Sequence, residues 1–206
     1  MALLILALLS SAAFADTTYD TVSGTCETFN DHVRNRGLKD ADGNTHLNTL
    51  GWTSCRFKAS LPGKGVKVRE MRLENERCAV TSLRRARFES NQTVIVMRWE
   101  HKRPTLTAAC GEELAKVERA ILDHEASHVA DCKAIASETA AAWRKSKHLL
   151  QVCGQGDLSG KIQAKIEDEL KDQLNRMNRE MEYRTRATHE RIGYGSSGIN
   201  CRKCAD

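Results

Sequence analysis

Eight cysteines, at positions 26, 55, 78, 110, 132, 153, 201 and 204, constrain this chain of 206 residues more than any other feature. What precedes them gives them their meaning. Met1 to Ala15 carries no charge and runs through Leu3-Leu4-Ile5-Leu6-Ala7-Leu8-Leu9 before reaching Ala13-Phe14-Ala15. This reads as a secretory signal peptide, residues 1–15, with an A-x-A cleavage site. An exported chain meets an oxidising compartment, so the thiols are expected as up to four disulfides with none left over. The rival use of Cys201-Arg202-Lys203-Cys204 in a metal site lacks a second C-x-x-C at finger spacing. Three cysteines lie before residue 104 and five after it. Full pairing therefore requires at least one bridge between the two halves. The expected location is periplasmic or secreted. The leader is too short to span a bilayer and no later stretch approaches about 18 uncharged apolar residues, so no stable membrane anchor is expected.

A hydrophobic share of 40% with only two prolines excludes disorder. The charge balance, 32 Lys+Arg against 27 Asp+Glu, is mildly basic. Basic residues cluster at Leu83-Arg84-Arg85-Ala86-Arg87, read as a solvated strand face; no nucleic-acid-binding signature accompanies them, and no nucleic-acid partner is expected.

Apolar periodicity divides the chain. Up to about Trp99 the pattern is short and period two: Tyr19–Gly24, Leu50–Phe57, Val66–Arg69, Cys78–Thr81 and Val94–Trp99 read as strands. Turn residues separate them at Asp40–Asn44, Leu61–Gly65 and Ser90-Asn91. Phe29 and Val33, four apart, predict a helix between Cys26 and Arg36. After Pro104 the period changes. Leu114, Val117, Ile121, His124, His128, Cys132, Ile135 and Thr139 recur at spacings of three and four, predicting a helix over roughly 111 to 149. A second begins near Leu158, carries Ile162, Ile166, Leu170, Leu174, Met177 and Met181, and stops at Gly193–Gly198. The loop Cys153–Asp157 is short enough to set the two antiparallel. The fold class is therefore α+β, a single domain over 16–206 with a strand-rich part (16–103) and a long antiparallel helical hairpin (104–206).

The first long helix carries His124-Glu125-Ala126-Ser127-His128. Positions four apart project from one face of a helix, so both imidazoles can reach one metal ion while Glu125 lies close to a water held there. This is the zincin arrangement. With seven histidines in the chain, a random ordering would produce H-E-x-x-H about 0.02 times. Both histidines also continue the apolar stripe and so face the interior, where imidazoles need partners. The competing reading makes them core histidines bonded to backbone or carboxylates; His32, His46, His101 and His148 are assigned to that default.

Zinc with an open fourth position needs a third protein ligand. The metzincin continuation is excluded, because Asp131 and Ala134 stand where a glycine and a histidine would be required. Glu138, Glu167, Glu169, Glu180 and Glu182 are nominal candidates. His189, eight residues beyond Met181 and nearly on the stripe of the second helix, is the better one. Asp131, seven residues after His124, is either a carboxylate orienting an imidazole or a surface acid. A hairpin bringing His189 level with His128 leaves about 10 Å of helix unmatched, which predicts a kink, a late start or an early end in the second helix.

The order Tyr19-x-x-Val22-Ser23-Gly24, a helix, the Asp40–Gly43 turn, Gly51-Trp52, Cys78-x-Val80, a Trp99 strand and His124-Glu125-x-x-His128 resembles a bacterial exported family. That family is known as a domain of unknown function and as predicted secreted zinc-dependent proteases. Its members tend to end with a Tyr and, six residues on, a His followed by Gly; Tyr183 and His189 stand at that spacing, with Glu190 in the glycine's place. The resemblance implies a Zn2+ site of His124, His128 and His189. The expected activity is hydrolysis of a peptide or protein substrate, with Glu125 as general base. Tyr183 is the nominal oxyanion donor, although six residues put it about 120° round the helix from His189. Two rival expectations remain. One is a non-catalytic, disulfide-stabilised envelope protein with structural zinc or none; the other is a basic module for anionic polymers.

Overall fold

The structure is a computed structural model and describes residues 16–61, 67–73, 76–101, 107–146, 148–192 and 198–204. The predicted signal peptide, most of the Leu61–Gly65 turn and residues 193–197 lie outside these. Twelve elements follow in order: β1 (Asp16–Gly24), α1 (Cys26–Asn35), β2 (Leu38–Lys39), β3 (Thr45–His46), β4 (Gly51–Ser60), β5 (Arg69–Leu73), β6 (Glu76–Ser82), β7 (Arg87–His101), α2 (Ala108–Lys145), β8 (Leu149–Cys153), α3 (Leu158–Ile192) and α4 (Cys201–Cys204). The α+β reading stands, with strands first and long helices after.

Thr25 caps α1 and Thr107 caps α2, each hydroxyl accepting from an N–H three residues on. Asp157 Oδ1 accepts from Gly160 N at the start of α3 in the same way. After α1 the chain turns through Gly37 at φ 67°, where a side chain would also collide with the His46 carbonyl, so only glycine fits.

Among the described residues β2 and β3 pair in a short two-stranded sheet, and two three-stranded sheets pack on the helices. The first has the order β1-β7-β4, with β1 parallel to β7 and β4 antiparallel to it; the second has the order β5-β6-β8, antiparallel throughout. Helix α2 crosses two cores. Its first half buries Val117 and Ile121 with Phe29 and Val33 of α1 and Val94–Met97 of β7. Its second half buries Ile135 and Trp143 with Ile162, Ile166 and Met177 of α3 and Ala79 of β6. The H-E-x-x-H segment lies where the first core gives way to the second.

Several boundaries differ from the sequence reading. Helix α2 ends at Lys145, and residues 149–153 form a strand paired with β6. Alternation decides this segment: Leu150 is buried while Leu149 and Gln151 are exposed. Ser90-Asn91 is not a turn, because both residues pair with β4 inside the 15-residue strand β7. The expected strand at Val66–Arg69 starts only at Arg69, Val66 lying outside the described residues. The arginines at 84 and 85 sit on a tight turn, closed by Ala86 N donating to Leu83 O, rather than on a strand face. Arg84 Nε donates to the Arg144 carbonyl at the end of α2, a favourable place for a cation.

Helix α3 runs unbroken over 35 residues, without the expected kink or late start. From Leu158 to His189 is about 47 Å of helix, whereas His128 lies about 26 Å before the end of α2. The connecting segment that includes β8 makes up the difference, five extended residues alone reaching about 17 Å. The start of α3 thus projects past α2 and packs beneath the second sheet.

All eight cysteines pair: Cys26–Cys201, Cys55–Cys132, Cys78–Cys153 and Cys110–Cys204. Three of the bridges join the strand-rich part to the helical part. Oxidised protein denatured without reductant should therefore show no reactive thiol. Replacing Cys78 and Cys153 together by alanine opens a 75-residue separation. The double variant should lose about 2 to 4 kcal/mol, read from denaturant unfolding.

Candidate metal centre

Helix α2 presents His124, Glu125 and His128 toward an open cleft whose other walls are β4, the segment just before it and the C-terminal turns of α3. The cleft holds about 1100 Å³ and includes His189 on α3. All three elements are fixed at this level. The Cys55–Cys132 bridge ties β4 to α2, one helical turn past His128, and Met181 of α3 lies 3.7 Å from the Cys132 sulfur.

The three imidazoles converge through the same atom. His128 Nε2 is 3.1 Å from His124 Nε2 and 3.2 Å from His189 Nε2, and no other His, Cys, Asp or Glu joins the cluster among the described residues. Bonds of 2.0–2.1 Å in a tetrahedron put neighbouring ligand atoms about 3.3 Å apart, so the spacing suits Zn2+ with a fourth position left over. Burial pushes all three pKa values down: His128 falls to about 4 by burial and then by its neighbours, His124 is lowered by burial and His189, and His189 by burial. Neutral rings keep their Nε2 lone pairs for a cation. The buried Nδ1 of His128 has no hydrogen-bond partner among the described residues, so convergence rather than a bonded outer atom sets this ring.

Glu125 is 4% exposed, and its Oε2 accepts from Thr53 Oγ1 of β4 at 2.7 Å. Burial raises its pKa to about 7 against the lowering effect of that bond. The shift has a measurable consequence in metal-free protein. A carboxyl whose pKa is raised on folding costs stability as the pH rises from its unfolded value through about 7. The melting advantage of Glu125→Gln over wild type should then widen between pH 5 and pH 8, approaching on the order of 2 to 3 kcal/mol. The imidazoles act in the other direction: their contribution is complete above the ordinary histidine range and fades as the pH falls toward about 4.

Of the remaining candidates, Asp131 meets Thr188 Oγ1 at 3.5 Å, next to His189 in sequence. Tyr183 is 68% exposed and does not line the cleft, so the structure does not bring it to the site. Glu138 and Glu180 are both engaged by Arg184, and Glu167 accepts from Gln163. Glu182 lines the cleft without joining the histidines. Of two further residues that line the cleft, Trp52 stacks on His46 at 3.5 Å and Asp40 bonds it; the bonds from His46 and Asn44 hold the Asp40 carboxyl well below the usual carboxylate range. Thr53 escaped the sequence reading, and Gly51 entered it only in the Gly51-Trp52 motif, without a role at the site. Their one signal is position, since with Cys55 they occupy alternate places on a strand.

A family model described as bacterial protein of unknown function (DUF922) matches residues 17–190. The chain belongs to the DUF922 family. The matched span runs from the second residue of β1 to the residue after His189, so it contains every side chain of the cluster. No curated protein and no solved structure matches this DUF922 chain. No helix among the described residues is long and apolar enough to cross a membrane.

Proposed function

We propose that this DUF922 protein is an exported zinc-dependent hydrolase acting on peptide bonds. The observation that carries the reading is the convergence of three Nε2 atoms from two helices, at 3.1 and 3.2 Å, beside a buried glutamate in an open cleft. His124, His128 and His189 would hold the ion. Zn2+, when bound, supplies Lewis acidity and brings the acidity of a coordinated water toward neutrality.

The chain's own residues do the rest. Glu125 is the proton acceptor for the attacking water and returns that proton to the departing amine. Burial raises its pKa in metal-free protein, and a cation nearby favours the ionised form that accepts the proton. Leu47, Leu50, Trp52 and Met181 line the cleft alongside Asn48, Thr49 and Asn178, giving apolar and polar surface for an extended chain segment. Four disulfides fit an oxidising location outside the cytoplasm.

The test is metal content per chain in purified mature protein, with proteolysis of a peptide library before and after chelation. About one zinc per chain and cleavage abolished by chelator and restored by zinc are expected. Bound zinc with no cleavage under any condition would favour the non-catalytic envelope protein.

A further inference from the structure

We infer that Gly51 and Thr53 of β4 form a two-point clamp that divides the labour of the Glu125 carboxylate, Oε2 being anchored and Oε1 kept free for the proton transfer. The inference rests on the hydrolytic reading for its purpose and on the packing of β4 against α2 for its geometry.

Residues 51, 53 and 55 share one face of β4, as strand alternation requires. Each meets α2 at a different level. Cys55 is bonded to Cys132, Thr53 Oγ1 donates to Glu125 Oε2 at 2.7 Å, and Gly51 lies under Ile121 and Glu125. The disulfide fixes the strand on the helix, so the other two contacts follow from register.

Thr53 also approaches the Glu125 backbone carbonyl at 3.4 Å, a position that pins the hydroxyl over this one residue. Oε1 makes no hydrogen bond among the described residues, yet it is not sealed from the cleft that Glu125 lines. A Cβ at position 51 would lie 2.7 Å from Oε1 and 2.6 Å from Ile121 Cγ2. Alanine there would displace the carboxylate or cover the oxygen that must meet the water. Glycine at 51 thus leaves the Glu125 carboxylate the place that a side chain would take. Both are positioning residues, since each acts through the Glu125 carboxylate.

The test compares Gly51→Ala, Thr53→Val and Thr53→Ser. Losing the hydroxyl in Thr53→Val should lower kcat roughly tenfold with KM little changed, as expected for one hydrogen bond to a charged group. Thr53→Ser should restore most of it. Gly51→Ala should cost about a hundredfold, the scale of an ångström-sized misplacement. Zinc stoichiometry should be unchanged in all three.

A second readout needs no turnover. The Glu125 side-chain carboxyl 13C signal of metal-free protein, assigned by its absence in Glu125→Gln, should move in Thr53→Val and hold in Thr53→Ser. If it stays put in Thr53→Val, the clamp is wrong even where hydrolysis is established. If it moves in a protein that cleaves nothing, the clamp stands and the hydrolytic purpose falls.

Discussion

His189→Ala should lower zinc affinity by more than the roughly 10–100-fold that loss of an outer-shell partner brings, because it removes one of the three proposed ligands outright. The expectation follows from the convergence of the Nε2 atoms, in which His128 stands within 3.2 Å of both other rings. His189 is also the only one of the three on α3, so the site exists only while α2 and α3 are packed. The glutamates of the second helix supply the control. Glu180 is occupied by Arg184, Glu182 stays outside the cluster, and Glu169 is not part of it. Zinc titration of Glu169→Ala, Glu180→Ala and Glu182→Ala should give values close to wild type. A glutamate variant that loses zinc while His189→Ala keeps it would transfer the third ligand to the carboxylate class.

The route by which His189 reaches His128 shows which parts of this fold were legible in the sequence. The stripe from Leu114 to Ile135, and its continuation from Ile162 to Met181, reports one-sided burial, and burial is what puts two helices face to face. His189 could be chosen because it sits almost on that stripe. The strand β8 was hidden for the same reason. Between Trp143 and the apolar Leu149, Leu150 and Val152 the sequence is Arg144-Lys145-Ser146-Lys147-His148, with no glycine or proline to mark the break. Its strand character comes from the partner β6 and from Cys78, which are distant in sequence. Without that strand the hairpin lengths did not close, and a kink, a late start or an early end was expected where none exists.

The polar stretch of β7 failed in the opposite way. Ser90 and Asn91 have turn chemistry, yet each has a ladder partner, Phe57 and Arg56, that satisfies its backbone. Tertiary pairing outweighed the local preference. The roles of Gly51 and Thr53 are the deeper omission. Nothing in a single sequence states that one face of a strand will be stapled to a helix through Cys55 and Cys132. Catalytic residue types announce themselves by spacing along one element; residues that aim them act across elements.

Glu125→Gln should keep the zinc and lose the hydrolysis. Glutamine is nearly isosteric, and its side-chain oxygen can accept the Thr53 hydroxyl as Oε2 does now, so the packing of α2 on β4 has no reason to change. Glu125 is absent from the convergent ligand set, which leaves the three imidazoles intact. On the proposed mechanism, what disappears is the ability to take a proton from water and hand it to the amine, an effect of roughly 10²- to 10⁴-fold for one positioned acid–base group. The prediction separates three outcomes with two measurements. Zinc retained and cleavage lost places Glu125 as the base; zinc lost makes it a ligand and breaks the zincin assignment. Zinc and cleavage both retained would leave the buried carboxylate with only its bond to Thr53, and the proton would have to travel through another group in the cleft.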